Sequence, residues 1–243
     1  LKIIKLNAID STNSFLKDLA QNSTLENYTV AITEDQTKGR GQQESKWVTA
    51  PLKNLTFSIF VKFNKLRINQ KRYLNFAISL AIYDALLEKK IDKISIKWPN
   101  DIMAANKKIC GILIENTFIG DRIKNSITGI GLNVNQEIFP EYLKNVTSLK
   151  LEKGFDFNLN NLLNDILIKI QEKIKLLENN EFDLLENSYL NVLYKKNIPT
   201  MFKNCQNEIF IGIIYGISTD GKLQIQLEDD SIKEFGIKEV SFL

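Results

Sequence analysis

The sequence predicts an α+β fold, a mixed β-sheet with packed helices, followed by a small antiparallel β unit. Three observations carry this. Apolar residues recur at three- and four-residue spacing between Lys71 and Lys90 and again from Asn160, as amphipathic helices require. Short runs rich in Ile and Val, separated by Asn, Asp and Gly, have the texture of neighbouring strands. After Pro199 the pattern becomes short alternating segments, NEIFIGIIYGI, KLQIQLEDD and SIKEFGIKEV, with STDG as a turn, which reads as a small barrel or sandwich. A boundary near residue 196 divides the chain into a unit of residues 1–195 and one of 196–243.

Taken in order, STNSFLKDLAQ places polar cap candidates before Phe15, Leu16, Leu19 and Ala20, a short helix with one apolar face. Tyr28 to Thr33 reads as a strand and Leu55 to Phe63 as a stronger one, with the polar, glycine-bearing segment Thr37 to Ser45 held between them as a loop. In the helix over 71–90, Leu74, Ile78 and Ile82 widen the apolar face, so that helix is expected to be largely buried. Ile94 to Trp98, Lys108 to Phe118 and Lys124 to Val134 follow as strands, and NNLLNDILIKIQEKIKLLE returns to helix.

Composition excludes several chemistries. The chain has no histidine, which removes Ser-His-Asp and Cys-His nucleophile activation, histidine-ligated zinc and imidazole acid-base work. A net charge of +3 is too small and too evenly spread to imply nucleic acid. No apolar run approaches the roughly 20 residues of a membrane span, and no secretory signal opens the sequence. Cys110 and Cys205 stand in no metal or redox spacing, which suits a reducing compartment, the cytoplasm. Only Arg40, Arg67, Arg72 and Arg122 are arginines, so the placement of each is informative.

Four segments are able to carry chemistry. In GRGQQESKW, glycines flank Arg40 in a loop after a strand, where backbone N–H groups and a guanidinium approach a carboxylate or phosphate; a solvated surface turn is the plainer alternative. In KWPND, Pro99 stiffens the chain so that Lys97, Asn100 and Asp101 are fixed beside Trp98, or the segment is simply a strand terminus with a packed Trp. In KICGILIEN, Lys108 opens an apolar strand and Gly111 leaves room for a ligand to lie against backbone. Periodicity does not decide whether Lys107 or Lys108 points inward, and either would serve as a gatekeeper at the strand end. In GIGLNVN, Gly129, Gly131, Asn133 and Asn135 share one strand face, able to take a flat ligand over the glycines and read an amide-like edge; the alternative is an edge strand weakened at a bulge.

DSTN at 10–13, TxGRG at 37–41, Trp47, KWPND, KxxGIL at 108–113 and GxGxNVN, in this order, closely resemble the biotin protein ligases, over about Leu6 to Asn135. The resemblance implies the biotin/lipoate ligase catalytic fold, similar to class II aminoacyl-tRNA synthetases, with a C-terminal SH3-like β-barrel. It implies that biotin is activated by ATP and Mg²⁺ to biotinyl-5'-AMP and passed to a lysine of a biotin carboxyl carrier domain of acetyl-CoA carboxylase or a related carboxylase. By the same resemblance, Ser11, Thr12, Asn13, Gln36, Gly39, Arg40, Gly41, Lys108, Gly111, Gly129 and Gly131 line the biotin site. Arg40, Gln42, Trp47, Asn100, Lys108 and Asn133 meet ATP or the adenylate, with Arg40, Lys108, Asn100 and Asp101 as the catalytic set. The meeting of two anions explains the demand for Lys108, Arg40 and Mg²⁺, and no fixed protein metal site is expected.

Two departures from the family pattern stand out. Gln42, Gln43, Glu44 and Ser45 follow GRG where further basic and glycine residues are familiar, which implies a weaker grip on the adenylate phosphate. Only about nine residues precede DSTN, too few for a winged helix-turn-helix, so the monofunctional type without DNA binding is expected. A lipoate or octanoate ligase and a noncatalytic binding module are the competing readings, and a homodimer is left open.

Overall fold

The computed structural model describes residues 1–243 apart from the side chain of Glu44. The chain enters as β1 (Lys2–Ile9), crosses over through α1 (Thr12–Asn22) and returns as β2 (Thr29–Gln36) parallel to β1. A parallel return requires such a crossover. α1 begins where the Ser11 side chain accepts a hydrogen bond from the Ser14 N–H, 3.4 Å away, and Leu16 is its buried apolar anchor. β3 (Leu55–Lys62) then pairs antiparallel with β2, and α2 (Lys71–Glu88) is buried along much of its length, as its broad apolar face predicts.

Four strands follow: β4 (Ile94–Lys97), β5 (Asp101–Ala104), β6 (Lys107–Ile119) and β7 (Arg122–Leu132). They complete a seven-stranded mixed sheet of order β1-β2-β3-β7-β6-β5-β4. α3 (Leu149–Lys153), α4 (Leu159–Glu178) and α5 (Phe182–Asn191) come next, α4 packing on α2. The two faces of the sheet differ because strand side chains alternate. On one face Phe57, Ile59, Val61 and Ile130 join α2 and α4 in the main core, each burial contributing about 2 kcal/mol. On the other, Ala31, Phe60 and Ile127 pack under Leu16 of α1. Farther along that second face the side chains shrink to Thr56, Ser58, Gly111, Gly129 and Gly131, held side by side by the pairings Thr56 to Gly131, Ser58 to Gly129 and Gly111 to Gly131. A hollow results.

The C-terminal segment forms β8 (Thr200–Asn204), β9 (Ile209–Ile217), β10 (Leu223–Gln226), β11 (Ile232–Phe235) and β12 (Val240–Phe242) in the order β11-β10-β9-β8-β12. Its antiparallel character agrees with the sequence, but β11 and β12 are the two edges of an open sheet, so among the described residues the expected barrel is not closed. Phe202, Ile214, Leu223 and Ile225 continue the main core into this sheet. Polar bonds fasten the joint: Trp98 Nε1 donates to the Gly221 carbonyl at 3.0 Å, and Arg72, paired with Glu186 at 3.0 Å, donates to the Ile217 carbonyl at 3.4 Å. Among the described residues no helix is long and apolar enough to cross a membrane.

Candidate active site

The hollow is a cavity of about 490 Å³, large enough for a small-molecule ligand. Its floor is the glycine-rich face of β6 and β7. The N-terminus of α1, the 39–47 loop, the KWPND segment and residues 237–242 of the C-terminal sheet form its walls.

At the α1 end, polar groups converge. Gln36 Oε1 accepts from the Thr12 backbone N–H at 2.9 Å and from its hydroxyl at 3.3 Å. Ser58 Oγ lies 2.6 Å from both Thr12 Oγ1 and Asn13 Oδ1, while Asn13 Nδ2 donates to Glu115 at 2.7 Å. Thr12, Asn13 and Ser58 are buried, so the network is held without solvent competition. A Cβ on Gly129 would overlap Asn13 Oδ1, which is why glycine is needed at this approach.

The 39–47 loop doubles back on itself. Gly41 N donates to the Ser45 carbonyl at 2.6 Å and Trp47 N to the Gly39 carbonyl at 3.0 Å, so a Cβ at either glycine would strike the opposing arm. Arg40 lines the cavity, and its guanidinium pairs with Glu115 at 3.1 Å. Gln42 also lines the cavity, and Gln43 ties the loop to the C-terminal sheet, its carbonyl accepting from Lys238 Nζ at 2.5 Å. The flat group lying over Gly131 and Gly111 is the Trp47 indole: a Cβ at Gly131 would stand only 2.2 Å from Cε2, and one at Gly111 3.1 Å from Cζ3.

Opposite the loop, Lys108 Nζ pairs with Asp101 Oδ1 at 2.6 Å and stands 5.7 Å from the Trp47 ring centroid. Strict alternation would put Lys108 and Gly111 on opposite faces of β6. A register shift in the β5–β6 pairing, where Met103 meets Lys108 and Ile102 meets Cys110, brings both to the cavity. Lys107 is exposed. Asn100 clamps β6, its Nδ2 donating to the Ile112 carbonyl at 2.7 Å and its own carbonyl accepting from Ile112 N at 3.0 Å. Lys97 lies 4.7 Å from the Phe242 ring centroid; burial lowers its pKa from the ordinary lysine value, with Lys108 and Lys195 adding to the effect and Asp101 opposing it.

Asn133 lies just beyond β7, buried, with Nδ2 donating to the Thr147 carbonyl at 3.0 Å, and it stands outside the cavity lining. Ser11, also buried, caps α1 while lining the cavity. Sequence reasoning missed Thr56, Ser58, Glu115 and the C-terminal wall. The alternation of Thr56 and Ser58 with Leu55, Phe57 and Ile59 was the available signal for the first two.

The biotin/lipoate A/B protein ligase family model matches residues 6–133, more than half of the chain and most of the cavity-forming elements. The chain belongs to this family. It is 28% identical over 242 residues, 98% of its length, to the bifunctional ligase/repressor BirA of Bacillus subtilis, of which it covers 71%. A biotin--[acetyl-CoA-carboxylase] ligase of Mycobacterium tuberculosis is 30% identical over 131 residues, 52% of this chain and 47% of that protein. Among solved structures, a biotin protein ligase from Aquifex aeolicus in complex with biotin and ATP superposes with a TM-score of 0.81 at 28% identity, covering 100% of this chain and 98% of that one.

Proposed function

We propose that this chain is an ATP-dependent biotin protein ligase, residues 1–195 forming the catalytic unit and 196–243 a small β unit that walls its site. The observation that carries the reading is the cavity in which a buried hydrogen-bonding cluster at one end faces Lys108 at the other. The neutral cluster of Ser11, Thr12, Asn13, Gln36 and Ser58 offers both donors and acceptors, as a ureido group demands. The Lys108 end offers positive charge, as a carboxylate and a phosphate demand.

In the first step a biotin carboxylate oxygen bonds to the α-phosphorus of ATP, and the bond from that phosphorus to the pyrophosphate oxygen breaks. Lys108 neutralises the approaching anions, with Asp101 holding its ammonium and Asn100 holding the strand that carries it. Arg40 adds positive charge to the cavity from the loop, its guanidinium resting against Glu115. Mg²⁺ carried by the nucleotide would supply further neutralisation of these anions; among the described residues no carboxylate cluster is built to hold it. In the second step a lysine amine of a carboxyl carrier domain attacks the mixed anhydride carbonyl, AMP leaves, and the nitrogen loses its proton. Gly111 and Gly131 admit the Trp47 indole, which packs beside the adenylate, while Asn133 reads adenine from the end of β7. The cytoplasm supplies these reactants.

The test incubates the protein with Mg-ATP, a carrier domain of acetyl-CoA carboxylase and either biotin or lipoate, and locates the modified lysine by mass spectrometry. Biotin on one carrier lysine is expected. Modification by lipoate alone, or none with either acid, would overturn the proposal.

A further inference from the structure

We propose that Glu115 is a positioning residue that sets two properties at once, the orientation of the Asn13 amide and the closure of the 39–47 loop. It is the one acidic residue of β6 and stands two residues beyond Leu113, which lines the cavity, so strand alternation puts it on the same face. Its carboxylate accepts from Asn13 Nδ2 at 2.7 Å and from Arg40 at 3.1 and 3.4 Å, so a single side chain joins α1, β6 and the loop.

The two contacts do different things. The Asn13 amide has donors at one end and an acceptor at the other. Nδ2 faces Glu115 and the Leu113 carbonyl, and Oδ1 takes the 2.6 Å contact with Ser58 Oγ beside Gly129. Turning the amide over would aim Oδ1 at a carboxylate, so Glu115 fixes Oδ1 as the accepting end, the polarity that a ureido N–H needs. The Arg40 contact acts on the loop. It forms only while the loop lies over the sheet, and it supplies an ionic tether in a segment whose next positions, Gln42 and Gln43, carry no charge. Both side chains are partly exposed, so the tether shifts loop opening by a factor of about three to ten.

This inference rests on the biotin reading, and two variants separate its halves. Glu115→Gln keeps shape and an acceptor for Asn13 but loses the ionic tether; Glu115→Ala loses both. Each is measured for KM and kcat with biotin in ATP–pyrophosphate exchange, for biotinyl-adenylate release by stopped-flow fluorescence, and for Tm. Glu115→Gln is expected to release adenylate about three to ten times faster with the KM for biotin rising less than about threefold. Glu115→Ala is expected to add a rise of about tenfold or more in that KM, with a smaller change in kcat. Parent-like KM and release in both variants, or changes that merely track a common fall in Tm, would overturn the inference while leaving the activity intact. A parent protein inert with biotin would overturn the activity itself, and this inference with it.

Discussion

Replacing Gly129 by alanine tests the recognition end of the cavity with a single methyl group. The added carbon would overlap Asn13 Oδ1 and stand 3.1 Å from Cγ and 3.3 Å from Nδ2. Relief requires the amide to retreat by about 1 Å. Its bonds of 2.6 Å to Ser58 and 2.7 Å to Glu115 have no such slack, since a retreat of that size takes them past hydrogen-bonding length. Losing one neutral and one charge-assisted bond costs about 2–3 kcal/mol. Borne by the ligand-binding geometry, that is a Kd for biotin about 30 to 150 times higher. Isothermal titration of biotin, alone and then with a nonhydrolysable ATP analogue, reads it directly, beside a thermal melt. A Kd within about threefold of the parent would refute the argument, because it would mean that Asn13 can move freely or that biotin does not use it.

Three further expectations concern the other walls. Lys108→Met should lower ATP–pyrophosphate exchange by about 10²–10³-fold while raising the biotin Kd less than about tenfold, and Tm should move little because its ion pair with Asp101 is partly exposed; exchange within about fivefold of the parent would remove Lys108 from the chemistry. Lys97→Met should be more thermostable than the parent near neutral pH, since folding lowers the pKa of Lys97 and so disfavours its charged form. The unfolded chain holds that proton up to about 10.5, so the parent gains stability as pH rises through the folded value toward 10.5, and the difference in Tm should close there; a gap that widens with pH contradicts the sign. Trp98→Phe removes the donor to the Gly221 carbonyl and should cost about 1–2 kcal/mol, a fall of roughly 3–6 °C in Tm by differential scanning calorimetry; an unchanged melt would show that this bond does not fasten the joint.

What the sequence revealed and what it hid have separate physical causes. The alternation in GIGLNVN was readable because a strand puts every second residue on one face, and Gly129 and Gly131 do stand together over the cavity. The same rule failed for Lys108, because the register shift ahead of Cys110 is a property of the β5–β6 pairing and not of either strand alone. β1 escaped notice because, as a parallel edge strand, it has no buried residue and therefore no core-facing stripe. β5, four residues long, lay hidden behind KWPND. Glu115 gave no signal in the sequence, since its partners Asn13 and Arg40 are 102 and 75 positions away. Trp47 was legible as a site residue, but its resting place over Gly131 depends on how the loop folds back. The C-terminal wall was invisible for a similar reason: Ile237 to Phe242 carry no motif, and only the packing of the two sheets brings them to the cavity.

That wall has a bearing on how the protein is made. Translation delivers the cluster around Asn13 first, then Lys108, and the glycines of β7 soon after, yet residues 237–242 come a hundred positions later. Until Ile217 and Gly221 emerge and dock, Trp98 and Arg72 lack their carbonyl partners, and until residues 237–242 follow, the loop lacks its tie to Lys238. A nascent chain held at residue 195 therefore has the charged machinery for activation but one side of its vessel open to water. Enclosure is thus the last property of the cavity to be completed, a hundred or so positions after the groups that give it its polarity and charge.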